Sequence, residues 1–296
     1  MRITHGFISF LEFVLRTFIY TLKMKRLKVI AVLSLGLLFQ ITVTAQSNKH
    51  KMHLSTTDDA RVAIAISIDD IPGQKFTFTI PEVYTLKGFE GGPGGLGSFN
   101  GQNWKITEDG ASVYLEDKNY KYSIIFDLKE KSDKYALKWK IRFQNNSDHA
   151  LEDLSAFNCV SMKAAPLFKD DNMERTWVHD ADGNKKLIKD VNKTQGPGRR
   201  TMQFYPAEGG VKDLSKLQWI NQWDVNSTEI LSGKNIWLTS KDAAWLINNK
   251  VNGKVAYFFN NFEKTHGCIH AAPLLSAKLK PGKTAVASGS IEFVRQ

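Results

Sequence analysis

His266, Cys268 and His270 alternate along one short stretch, and they are the ligand types that zinc and copper prefer. On an extended strand, residues two apart share a face, so all three point one way. Neighbours on that face lie about 7 Å apart, which leaves the two histidines about 13 Å apart. A metal therefore requires a bend, for which Gly267 is placed, and a further partner such as His179 or Asp180. Without one, a histidine faces a cleft and Cys268 packs as a small hydrophobe. The expectation is no metal and no cofactor.

A second set of residues suits sugar chemistry, which calls for a base, an acid, a cation for uronates and aromatic faces for stacking. Arg175 to Trp223 holds most of them. His179, Tyr205 and Glu208, with the more distant His270, are candidate proton carriers. Trp177, Trp219 and Trp223 are candidate stacking faces, and Arg199 and Arg200, beside a Gly-Pro-Gly turn, are candidate anion contacts. Each has a plainer reading as core aromatic, hairpin residue or solvated charge. Asp180-Ala-Asp-Gly-Asn184 is a hairpin-turn pattern and lacks the later Glu of a calcium loop. Gly92 to Gly97 satisfies a GxGxxG string, yet no helical pattern follows, so it is not a dinucleotide fingerprint. No Gly-x-Ser-x-Gly nucleophile elbow is present.

These residues must be positioned by strands. Alternating or β-branched runs recur at Arg61 to Ile68, Lys75 to Ile80, Tyr120 to Leu128, Tyr135 to Phe143, Leu154 to Met162, Lys254 to Asn260 and Thr284 to Val294. Shorter runs lie between them, with a polar turn at Asn145 to Asp148, a Gly-rich loop at Gly88 to Gly101 and one short helix expected over Val211 to Trp219. Many strands without alternating helices predict an all-β fold, a large antiparallel β-sandwich.

The N-terminus reads as an export signal that starts at Met24. Lys25, Arg26 and Lys28 supply charge, Val29 to Ile41 is largely apolar, and Val43-Thr44-Ala45 offers a cleavage site before Gln46. The alternative is an uncleaved anchor over Leu27 to Val43. Residues 1–45 are thus expected to be an upstream extension plus signal, 46–58 a flexible tether, and 59–296 one sandwich domain. Removing residues 1–45 takes away six Lys/Arg and one Glu, so the net charge of +10 falls to +5. The remaining charges are interspersed, which speaks against nucleic-acid binding. Export also permits a disulfide between Cys159 and Cys268, worth about 4–5 kcal/mol on the chain-entropy model. Two buried thiols are the alternative.

Two passages carry a resemblance. In Trp139 to Phe168 a strand, an Asn/Asp turn and a strand with Cys159 lead into Ala-Pro-Leu-Phe. In His266 to Phe293, Cys-Ile-His-Ala-Ala-Pro precedes a Leu-Lys-Pro-Gly-Lys-Thr turn and a Gly-Ser-Ile-Glu-Phe strand. Together they resemble secreted bacterial proteins with a galactose-mutarotase-like supersandwich. The resemblance implies a carbohydrate context, with a glycan or sugar as partner: a binding protein, a sugar-active lyase, hydrolase or epimerase, or an interaction module of the envelope.

Overall fold

The computed structural model describes residues 50–58, 62–85, 103–116, 118–194, 201–210, 226–263 and 266–296. The expected export signal, Gly-rich loop and short helix lie outside them, wholly or almost so, and the side chains of Val83 and Thr85 are likewise not described. His50–Gln296 forms one compact unit.

Two antiparallel sheets make a β-sandwich, as the strand pattern predicts. The seven-stranded sheet runs β1 (Met52–Ser55), β2 (Ala63–Ile68), β3 (Lys75–Thr85), β8 (Leu151–Ala164), β15 (Cys268–Leu279), β14 (Val255–Asn261) and β11 (Met202–Pro206). The nine-stranded sheet runs β10 (Lys185–Leu187), β9 (Thr176–His179), β12 (Ser232–Thr239), β13 (Trp245–Val251), β16 (Thr284–Arg295), β7 (Lys134–Asn145), β6 (Tyr120–Lys131), β5 (Gly110–Glu116) and β4 (Lys105–Thr107). Among the described residues the only helices are single 3-10 turns at Pro166–Phe168 and Ile188–Asp190. None is long and apolar enough to cross a membrane.

Period-two alternation explains the main core. On β6, Tyr120, Tyr122, Ile124, Phe126 and Leu128 turn inward, and on β7 Leu137, Trp139, Ile141 and Phe143 do so while Lys138, Lys140 and Arg142 face water. Each buried large apolar side chain contributes about 1.5–3 kcal/mol. From the facing sheet come Phe76, Phe78, Val160, Phe258 and Ile269. A buried amide pair crosses this apolar layer. Asn158 Nδ2 donates to Asn249 Oδ1 at 3.2 Å and Asn249 Nδ2 donates back at 3.0 Å, so β8 is tied to β13 in the other sheet.

The tether expectation is corrected over its second half. Met52–Ser55 pairs with Ile68–Ala65 as the edge strand β1, and Met52 is buried in the core. Four residues are too few for an alternation signal, and pairing with β2 orders them. The Asn145 turn forms as expected. Asn145 Oδ1 accepts from Ser147 N and Oγ, and its Nδ2 donates to the His149 and Leu279 carbonyls.

Candidate functional site

Two groups of chemically competent side chains stand on opposite outer faces of the sandwich. The first lies on the nine-stranded sheet. Val178 points into the core, so its neighbours Trp177 and His179 face outward. The start of β9 is fixed by Asp170, a buried carboxylate that accepts from Glu174 N, Arg175 N and Thr176 Oγ1. Its end is fixed by the Asp180 hairpin, where Asp180 Oδ1 accepts from Asp182 N and Asn184 N and Gly183 takes a positive φ of 84°. This bears out the plain reading of the Asp-Ala-Asp-Gly-Asn string as a turn.

Trp237 on β12 pairs with Trp177, and its ring centroid lies 4.9 Å from that of His179. The Nζ of exposed Lys185 sits 4.2 Å from the Trp177 ring centroid and 5.7 Å from that of Trp237. Between the paired positions Ser232 and Trp237 the register shifts, so β12 bulges beside the aromatic pair. Gly233 enters that bulge at φ 79°, and a Cβ there would stand 2.7 Å from His179 Nδ1. Polar groups continue the surface: Asn235 Nδ2 donates to Asn248 Oδ1 at 3.0 Å, and Asn248 Nδ2 to Glu292 Oε2 at 3.1 Å. Burial works to raise the Glu292 carboxyl, but Lys134, 2.8 Å away, and the Asn248 and Ser290 hydrogen bonds hold it below its usual value. The result is a half-buried indole face flanked by a cation, an imidazole and a row of amides.

The second group lies on the seven-stranded sheet. Phe157, Met202, Phe204, Tyr257, Phe259 and Ala272 form an aromatic cluster separate from the main core, on the face turned away from it. His270 is buried in it, its ring stacked on Phe157 at 4.5 Å and 11° and set edgewise to Phe259 at 4.8 Å. Glu82 Oε2 lies 3.6 Å from His270 Nδ1. Val160 pairs with Ile269 and Ser161 with Cys268, a register that sets Cys159 opposite His270. The reactive atoms of Cys159, Cys268 and His270 all lie within 4.8 Å of one another. Contact with the Cys159 thiol holds the Cys268 thiol well below its usual value; burial opposes that shift and the nearby His270 adds to it.

The sequence-predicted residues separate accordingly. Trp177 and His179 come together, but His270 stands on the other sheet's outer face, so the four proposed proton carriers do not share a cleft. Tyr205 points into the main core, where its hydroxyl donates to Asn260 Oδ1 at 2.9 Å. Burial pushes that hydroxyl well above its usual value, and its place in the core separates it from both outer-face groups. Glu208 sits exposed after β11, its backbone N–H donating to the carbonyl of Leu231, the residue before Ser232, which pairs with His179. Arg199, Arg200, Trp219 and Trp223 lie outside the described residues.

Of the two readings of the cysteines, the structure has buried thiols, with no bond between the sulfurs of Cys159 and Cys268. Their strands place Cys159 opposite His270 and diagonal to Cys268. His266 is exposed and stands apart from the Cys-His group, which takes Cys159 instead. The sequence reading also missed Trp237, Lys185 and Glu82. Trp237 next to Ile236 and Leu238 reads as ordinary strand, and only its pairing with Trp177 marks it out.

No protein-family model and no curated protein matches the chain. Among solved structures it is similar to a putative aldose 1-epimerase from Escherichia coli K12, at 10% identity and a TM-score of 0.40, over 83% of this chain and 100% of that one. It is also similar to a galactose mutarotase related enzyme from Lactobacillus acidophilus, at 11% identity and TM-score 0.40, over 82% and 97% of the two chains. A galactose mutarotase-like protein from Clostridium acetobutylicum is similar at 9% identity and TM-score 0.40, over 83% and 98%. Likeness at this level carries no conclusion about activity.

Proposed function

We propose that the chain is an exported carbohydrate-recognition protein whose ligand lies on the outer face of the nine-stranded sheet. The observation that carries this reading is the pairing of Trp177 with Trp237 beneath the Lys185 ammonium. Once the exposed Lys185 side chain swings off the Trp177 ring, that indole face packs against the axial C–H groups of a sugar ring, while Lys185 and His179 serve a carboxylate or sulfate and the Asn235 to Glu292 row serves hydroxyls. An anionic glycan fits this chemistry better than a neutral one. Export is supported by the basic, apolar and small-residue succession from Met24 to Ala45.

The test is a binding screen of the purified chain against neutral, uronic and sulfated glycans, repeated with Trp177→Ala and Lys185→Gln. Trp177→Ala is expected to weaken binding about tenfold, the equivalent of roughly 1.4 kcal/mol. Lys185→Gln should weaken anionic ligands selectively. No binding across the panel, or unchanged binding in Trp177→Ala, refutes the reading.

A second reading, an enzyme that moves a proton on a sugar, is favoured by the Glu82 and His270 pair at 3.6 Å on the other sheet. It predicts accelerated interconversion of sugar anomers, followed by NMR and lost in His270→Gln. Interconversion at the uncatalysed rate across a panel of aldoses rejects it.

A further inference from the structure

Two thiols and an imidazole from two adjacent strands converge on the outer face of the seven-stranded sheet, and their ligand atoms lie within 4.8 Å of one another. We propose that Cys159, Cys268 and His270 form a binding site for a thiophilic divalent cation, zinc being the ion that fits best, with Glu82 orienting the imidazole. The inference rests on neither functional reading above.

The distances suit the ion. Tetrahedral zinc with Zn–S of about 2.3 Å and Zn–N of about 2.0 Å sets its ligand atoms roughly 3.5–3.8 Å apart, within the span observed.

Burial and charge point the same way. His270 is 2% exposed among Phe157, Phe259, Phe204 and Tyr257, and neither ring nitrogen has a hydrogen-bond partner. A buried imidazole left in that state among aromatic rings is costly, and a metal–nitrogen bond satisfies it. A disulfide between the two sulfurs would leave it as it is. Two thiolates also cancel the charge of a dication, so the loaded site brings no net charge into the aromatic pocket.

Glu82 completes an arrangement common around metal-bound histidines. Its Oε2 lies 3.6 Å from Nδ1, just beyond hydrogen-bond range, so a small approach on metal loading lets the carboxylate accept the Nδ1 proton and leaves Nε2 for the metal. The three protein ligands leave a fourth position for water or a ligand atom. An imidazole so held is not the free proton carrier of the enzyme reading, so metal content separates the two.

The test uses the full chain, purified without chelator and without added reductant. Zinc is measured by mass spectrometry, and the chain is then loaded with cobalt(II) as an optical probe. One zinc per chain is expected, together with thiolate-to-cobalt charge-transfer absorption. Cys159→Ser and Cys268→Ser should each abolish stoichiometric zinc and weaken that absorption. Glu82→Gln keeps both thiols and the shape of the pocket, and should weaken zinc binding about 10- to 100-fold with unchanged circular dichroism. Folding of the variants is read by the same dichroism, and if either serine variant fails to fold, Glu82→Gln and His270→Gln carry the test. The proposal is overturned by zinc well below one per chain after equilibration with the ion, by zinc retained when both cysteines are replaced, or by a Cys159–Cys268 disulfide in the chain as purified.

Discussion

Replacing Asn249 by Leu, which keeps the branched shape and removes the amide, tests how the two sheets are held in register. Both reciprocal bonds with Asn158 are lost, and Asn158 Nδ2 is left buried without its partner. Each neutral bond contributes about 1 kcal/mol net and a stranded donor costs about 1–3 kcal/mol, so Asn249→Leu should cost about 2–4 kcal/mol. Asn158→Leu should cost more, about 3–5 kcal/mol, because Asn158 Oδ1 also accepts from Ala271 N at 2.8 Å. In the double variant two apolar groups face each other and only the Ala271 N–H is stranded. Its cost should then fall below that of Asn158→Leu alone, a coupling of at least about 2 kcal/mol. Urea unfolding of the four proteins supplies the cycle. Costs that add within about 0.5 kcal/mol would refute the bridge as an energetic unit. The bridge also bears on the outer face, because Asn158 precedes Cys159 on β8 and its oxygen holds the amide that follows His270 on β15. Asn158→Leu should therefore weaken zinc binding as well as stability.

Gly233→Ala places a methyl group 2.7 Å from His179 Nδ1 at a φ of 79°. It should cost roughly 1–3 kcal/mol, lower the melting temperature by several degrees and weaken glycan binding through displacement of His179. Glu292 is held below its usual pKa, so its contribution is present above about pH 4.5 and is lost as pH falls through the folded-state value. Glu292→Gln should consequently flatten the acid limb of a stability-versus-pH curve measured by thermal melting; an identical limb counts against the Lys134 and Asn248 contacts. N-terminal sequencing of the chain recovered from outside the cytoplasm should begin at Gln46, whereas retention of residues 24–45 favours the anchor.

Much of the fold is legible because it is written in period two. The inward aromatics of β6 and the lysines that alternate with Leu137, Trp139 and Ile141 on β7 state which face is buried, and the Asn145 and Asp180 turns mark strand ends. The segment β15 is less readable. Cys-Ile-His-Ala-Ala-Pro is buried on both faces, so it shows no alternation, and Pro273 sits beside register shifts with both neighbouring strands. The site is harder still, because convergence depends on which strands become neighbours. Nothing local to His179 or His270 says that they belong to different sheets, and nothing near Cys159 says that it will face a residue more than a hundred positions away. Tyr205 fails for a related reason: every residue of Met-Gln-Phe-Tyr-Pro is buried, so the phase that turns its ring inward cannot be read from the string.

The placement of β15 and β16 also sets an order of events in time. β15 joins β8 to β14 at the middle of one sheet, and β16 joins β7 to β13 at the middle of the other. A nascent chain short of these two strands holds four fragments, β1-β2-β3-β8 and β14-β11 on one side, β10-β9-β12-β13 and β7-β6-β5-β4 on the other. Neither half closes until residues 268–295 are in place, so both sheets are completed by pairings of long sequence separation, the kind of contact whose loop-closure entropy slows folding.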